Sequence, residues 1–271
     1  MRLSKAKKAL IIIFVLALVI FMNSRCASYK ITHTYIEQIR PELMPGDIVV
    51  ERTEWRLSNF LYPGFWKHSF IYTGTLSEMD GYFNGSKVIN GSVSAYLREN
   101  MPEVYEKYTK SYGDYEANMI ESKHFHVRIG PIEDYAQSDY IGVMRPKLSK
   151  DAKLRAVLKA LSFSGKFYDL LFDYSDNSTI ACSEVVYFPY SKNYSEGGLD
   201  LKLAKVLWTE ALLPNDLVRK YELEIGEEGE LDFVLFIDSD KENLTRVDDK
   251  IAFMKSWQRE SITMVYASCY K

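Results

Sequence analysis

The chain has 271 residues, 47% hydrophobic and 26% charged, an ordinary globular composition with enough apolar material for one large core. Its formal net charge of −3 leaves no basic surplus to neutralise phosphates, which argues against a nucleic-acid partner. It has neither zinc-type Cys/His spacing nor a glycine-rich phosphate loop, so no metal and no cofactor is expected.

Taken in chain order, the first feature is Arg2, Lys5, Lys7 and Lys8 ahead of an uninterrupted apolar run from Ala9 to Met22. This is the layout of a signal peptide or short membrane anchor, so residues 1–30 are set apart and the remainder is expected to be exported to the cell envelope. Arg25 occupies the −3 position for cleavage after Ala27, so retention as an anchor is the expectation. Cys26 stands where a lipoprotein carries its lipidated cysteine, but the preceding Arg25 departs from the usual small residue.

Residues 31–271 read as one domain without repeats or low-complexity linkers. Met44-Pro45-Gly46-Asp47 is a turn before a buried strand, Ile48-Val49-Val50. Arg56 to Leu61 reads as a short helix, Pro63-Gly64 breaks the chain, and Trp66 to Tyr72 forms the next strand. The polar stretch 75–117 reads as an insertion with helix around Val93 to Lys107. Strands follow from Met119, at His126 to Ile129, and at Tyr140 to Met144. Ser149 caps a helix with Leu154, Val157, Leu158 and Leu161 at helical spacing, closed by Gly165. A second helix opens at Cys182 and meets Pro189. Late strands are expected at Leu231 to Ile237 and Ile262 to Ala267. Strands first and helices in clusters indicate an α+β fold.

Three cysteines, Cys26, Cys182 and Cys269, do not describe a disulfide framework. Cys182 at a helix start has the setting that favours a thiolate, the reactive form of cysteine. Nucleophilic catalysis needs a base in reach, itself oriented by a third polar group. Among four histidines, His33 lies just past the apolar run and reads as solvated. His68 lies inside an apolar strand, on one face with Phe70 and Tyr72, where an imidazole requires a partner. His124 and His126 lie two apart and share a face, opposite to Glu121 if the strand is regular.

Four blocks in order, Leu43-Met44-Pro45-Gly46-Asp47-Ile48-Val49, Trp66-Lys67-His68-Ser69-Phe70-Ile71-Tyr72-Thr73-Gly74, Ile120-Glu121 and Cys182-Ser183-Glu184, resemble the YaeF/YiiX family. These are permuted relatives of the NlpC-type papain-like amidases, with histidine before cysteine as here. The resemblance covers roughly 42–220, leaving a C-terminal extension at about 226–271. It implies a circularly permuted papain-like fold, an antiparallel sheet packed against helices. It also implies that Cys182 attacks an acyl carbon, that His68 moves the proton, and that Glu121 orients the imidazole. His124 or His126 is the alternative third group. Tyr168 matches a tyrosine near the family's catalytic centre, against an alternative of core packing. Glu184 and Asp47 read as structural.

The implied activity is hydrolysis of an amide or acyl bond in a small acylated, lipid-like or cell-wall peptide substrate, and the same chemistry supports acyl transfer. The competing reading is a membrane-tethered, non-catalytic module that binds lipid or peptidoglycan. Intact Cys182 and His68 favour the enzyme. The sequence carries no sign of oligomeric state.

Overall fold

The computed structural model describes residues 30–54, 63–206, 209–226, 228–238, 245–246 and 249–259. The apolar run at 9–22, the short helix at 56–61 and the strand at 262–267 lie outside the described residues. No helix among the described residues is long and apolar enough to cross a membrane.

In chain order the strands are β1 (Asp47–Arg52), β2 (His68–Tyr72), β3 (Ser111–Tyr112), β4 (Tyr115–Glu116), β5 (Met119–Lys123), β6 (His126–Gly130), β7 (Tyr140–Pro146), β8 (Ala204–Val206), β9 (Thr209–Ala211), β10 (Leu231–Asp238) and β11 (Thr245–Arg246). The helices are α1 (His33–Ile39), α2 (Leu76–Tyr82), α3 (Val93–Asn100), α4 (Pro102–Thr109), α5 (Lys150–Leu161), α6 (Glu184–Tyr190), α7 (Pro214–Leu223) and α8 (Lys250–Lys255). The main sheet runs β11-β10-β7-β1-β2-β5-β6, and each neighbouring pair is antiparallel. Helices and an antiparallel sheet make this a mixed α+β architecture.

Two-residue periodicity divides the sheet's side chains between two apolar layers. Ile48, Val50, Ile71, Ile120 and Met144 join the larger core with Leu154, Val157 and Leu161 of α5 and Val185 and Val186 of α6. Val49, Phe70, Tyr72, Met119, Ile141 and Val143 face the other way, onto Ile36 and Ile39 of α1 and onto Tyr135. Helix α5 starts where Ser149 accepts the Ala152 N–H, as expected of that cap. It ends at Leu161, and Gly165 lies in the turn beyond, at φ +89°. Gly142 in β7 is small for a packing reason, because a Cβ there would meet the Phe253 ring at 2.3 Å.

The stretch 75–117 is more ordered than its polarity suggests. It folds into α2, α3 and α4 followed by the β3–β4 hairpin, with Met79, Phe83, Val93, Leu97, Val104 and Tyr108 in the larger core. A capping box between Thr75 and Glu78 opens α2. Beyond residue 225, β10 adds a sheet strand next to β7, at the position expected for Leu231 to Ile237.

The register gathers several strand ends at one end of the sheet. Glu51 pairs with His68, Arg52 with Tyr140, Lys123 with His126, and Asp238 with Tyr140. The start of β2, the β5–β6 turn and the start of β7 therefore lie together.

Candidate active site

His68 opens β2, three residues before Ile71, and Glu121 lies on the neighbouring strand β5, one residue after Ile120, the partner of Ile71. Pleating turns both side chains to the layer that holds Phe70 and Tyr135. There His68 Nε2 and Glu121 Oε2 are 2.7 Å apart. Glu121 is fully buried. Its carboxylate is nonetheless saturated with donors, since Oε1 accepts from Arg128 Nε at 2.7 Å and Oε2 accepts from the Tyr135 hydroxyl. Arg128, the direct cross-strand partner of Glu121, also donates to Asp134 at 2.7 Å. The Tyr135 ring lies against His68 at 5.9 Å between centroids, which limits how the imidazole can turn.

With Nε2 committed to Glu121, the other ring nitrogen is left for the sulfur, and the Cys182 thiol lies near enough to His68 for each to shift the other's titration. The Cys182 sulfur also has the Tyr168 hydroxyl at 4.0 Å and the backbone N–H of Ser69 as polar neighbours. Three anchors hold the turn that carries it. Ser122 donates to the Ile180 carbonyl, and Ile180 N–H bonds the Phe167 carbonyl at 2.9 Å. Ala181 N–H donates to Glu184 Oε2 at 2.6 Å. Tyr174 meets the Ser183 hydroxyl at 2.7 Å and donates to the Leu212 carbonyl at 2.8 Å.

The electrostatics follow from this geometry. Burial opposes a charged imidazole, but Cys182 and Glu121 outweigh it through hydrogen bonds and charge, and His68 rises to about 9. Burial also disfavours a thiolate and a carboxylate. Against it, the His68 hydrogen bond and charge bring the Cys182 thiol below its ordinary value. The same His68 contacts, with Lys123 and Arg128, hold Glu121 well below the usual carboxylate range. The three together favour an imidazolium between two anions near neutral pH. Glu184 behaves oppositely: burial first, then the negative charges of Asp169, Cys182 and Asp173, push it up to about 9 against the lowering bond from Ala181. It is thus a neutral carboxyl near neutral pH and adds no negative charge of its own beside the sulfur.

The residues singled out from the sequence are sorted by this arrangement. Cys182, His68, Glu121 and Tyr168 come together. The helix expected to open at Cys182 opens at Glu184 instead, with Ser183 as its N-cap. The reason is local: Glu184 and Tyr174 bind the 181–183 turn and hold the sulfur ahead of the first helical residue. Pro189 sits inside α6, which ends one residue later. His124 and His126 do not meet the His68 ring in this arrangement. The strand ends at Lys123, His124 turns with φ +60°, and both histidines are exposed. His33 is exposed and stacks on Tyr115 at 5.6 Å. Asp47 is structural, accepting Met44 N–H at 2.8 Å and an Arg145 fork. Sequence reasoning missed Arg128 and Tyr135. Arg128 was findable, because a hairpin between the 119 and 126 strands sets an arginine opposite a buried glutamate. Tyr135 lies on a short 3-10 turn that no periodicity marks.

A cysteine set beside a histidine that a third polar group holds is the kind of constellation that papain-like proteases use, with asparagine in the third place. Residues 42–221 match the family described as permuted papain-like amidase enzymes of the YaeF/YiiX type, and the chain belongs to that family. No curated protein and no solved structure matches the chain.

Proposed function

We propose that the chain is a cysteine amidase or peptidase-like hydrolase in which Cys182 is the nucleophile, His68 the proton carrier and Glu121 the group that orients and charges the imidazole. The observation that carries this reading is the His68 ring, held by Glu121 at 2.7 Å and set near the Cys182 thiol, so that imidazole and thiol shift each other's titration. The thiolate attacks the acyl carbon. The imidazolium then protonates the departing amine or alkoxide, leaving an acyl thioester on Cys182. His68, now neutral, removes a proton from water as the water attacks. The acid leaves and the thiolate–imidazolium pair returns. An alcohol or amine in place of water turns the same cycle into acyl transfer.

The substrate class we assign is a small acylated, lipid-like or cell-wall peptide molecule at the cell envelope, with the chain tethered by its apolar run at 9–22. The support for the tether is the basic flank ahead of that run. A direct test of the nucleophile is reaction with an iodoacetamide probe followed by peptide mapping. Cys182 is expected to label first and fastest of the three cysteines, although it is buried and the surface usually reacts first. Labelling of Cys26 or Cys269 with Cys182 untouched would overturn the assignment.

A further inference from the structure

Four of the most exposed large apolar side chains surround the site and serve no purpose in it. Phe125 is 80% exposed, Phe167 73%, Leu170 77% and Leu171 73%. Phe125 tips the β5–β6 turn, whereas Phe167, Leu170 and Leu171 lie on the segment that carries Tyr168. The two segments are one unit, because Tyr168 N–H bonds the Phe125 carbonyl at 2.8 Å and Phe167 bridges His126. Exposing such side chains together is costly in water and marks an interaction surface.

The path of the chain indicates what covers them. The described chain begins at Lys30, whose amine pairs with Asp139, and Ile31 N–H bonds the Ser138 carbonyl at 3.0 Å. Ser138 and Asp139 immediately precede β7, at the same end of the sheet as His68 and Phe125. The link 23–29 spans at most about 25 Å when extended. An apolar run at 9–22 that enters a bilayer thus keeps this end of the sheet within about 25 Å of the lipid. A second copy of the chain is a poorer occupant. Four side chains on two tips offer the few hundred Å² of a functional patch, short of the ~800 Å² per partner of a stable dimer.

We propose that the site-bearing end of the sheet docks onto a lipid bilayer through Phe125, Phe167, Leu170 and Leu171, so that Cys182 works at the membrane surface on lipid-borne acyl groups. The docking rests on this surface and on the chain's exit. The choice of lipid-borne substrates rests in addition on the hydrolase reading above.

The test uses the full chain reconstituted in vesicles of phosphatidylethanolamine and phosphatidylglycerol, with Phe125→Trp and Leu171→Trp each compared with wild type to subtract the native tryptophans. The added emission is expected to be blue-shifted, quenched by lipids spin-labelled near the headgroup, and protected from aqueous iodide. Emission quenched by iodide and not by the lipids overturns the proposal. So does emission shielded from both in proportion to protein density, which means that a second copy covers the patch. The same measurement on Cys182→Ser separates the two readings, since docking needs no thiol. Quenching retained in every variant while Cys182 resists alkylation would sink the hydrolase reading and leave the docking intact.

Discussion

Glu121→Gln isolates what the carboxylate does, because the side chain keeps its shape and loses its charge. In the wild type both oxygens accept, from His68 and Tyr135 on one and from Arg128 on the other. A glutamine has one oxygen and one NH2 to offer, so it keeps the Arg128 bond only by turning its NH2 toward His68, where a protonated imidazole cannot accept it. Removing one partner of a buried ion pair costs about 3 kcal/mol or more. Arg128 keeps Asp134 at 2.7 Å and is partly solvated, which holds the loss near the lower end. For a chain of this size that lowers Tm by roughly 6 to 10 °C. The effect on the site is more specific. Glu121 is a negative charge that helps raise His68 to about 9, and its loss moves His68 back toward its ordinary ~6.5. The imidazolium that protonates the leaving group is then lost at lower pH. The expected outcome is turnover reduced by about 100-fold, less than for His68→Ala, with the alkaline limb of the rate profile displaced downward from near 9. Calorimetry and a pH–rate profile on the purified protein read both effects. A variant with an unmoved alkaline limb and full turnover would refute the role assigned to Glu121.

Tyr168→Phe removes a hydroxyl 4.0 Å from the sulfur, a long contact, so turnover should fall less than about tenfold with no change in Tm. A loss as large as that of Cys182→Ser would mean that Tyr168 donates to the reacting group itself. Glu184 titrates near 9 in the folded protein, above its ordinary value, so its contribution to stability is full at low pH and is lost as pH rises through about 9. Glu184→Gln removes that dependence while still accepting the Ala181 N–H, and its Tm relative to wild type should rise steadily between about pH 5 and 9. A constant difference would show that Glu184 is already ionised. Gly142→Ala forces the Phe253 ring to move from a 2.3 Å contact and should cost about 1 to 3 kcal/mol in denaturant unfolding. An unchanged midpoint would show that α8 yields freely there.

The strands β1, β2, β5, β6, β7 and β10 and the capped helix at 150 were legible because each is written in local pattern, whereas the pairing of His68 with Glu121 was implied by the family resemblance. Period two assigns His68, Phe70 and Glu121 to faces, and Ser149 marks a helix start whatever surrounds it. The start of α6 was not legible, because it depends on Tyr174 and Glu184 closing the 181–183 turn through contacts that only the fold creates. The stretch 75–117 was legible in part: helix was expected around Val93 to Lys107, where α3 and α4 lie, whereas its polarity hid α2. Its helices bury few side chains each, among them Met79, Leu97 and Tyr108, while the rest of each helix faces water. Tyr135 reaches Glu121 from a short irregular turn after β6, and nothing in residue spacing announces that contact.

The central claim is that His68 activates Cys182. The measurement that bears on it most directly is the rate of Cys182 alkylation against pH, for wild type and for His68→Ala. In the wild type the thiol is lowered by the His68 hydrogen bond and charge, so alkylation should persist toward pH 6, where a free cysteine of pKa ~8.5 is almost wholly protonated. In His68→Ala burial acts without that opposition, and the midpoint should rise to that of free cysteine or above. Superimposable curves with midpoints near 8.5 would contradict the account, because Cys182 would then be a buried cysteine that His68 does nothing to activate.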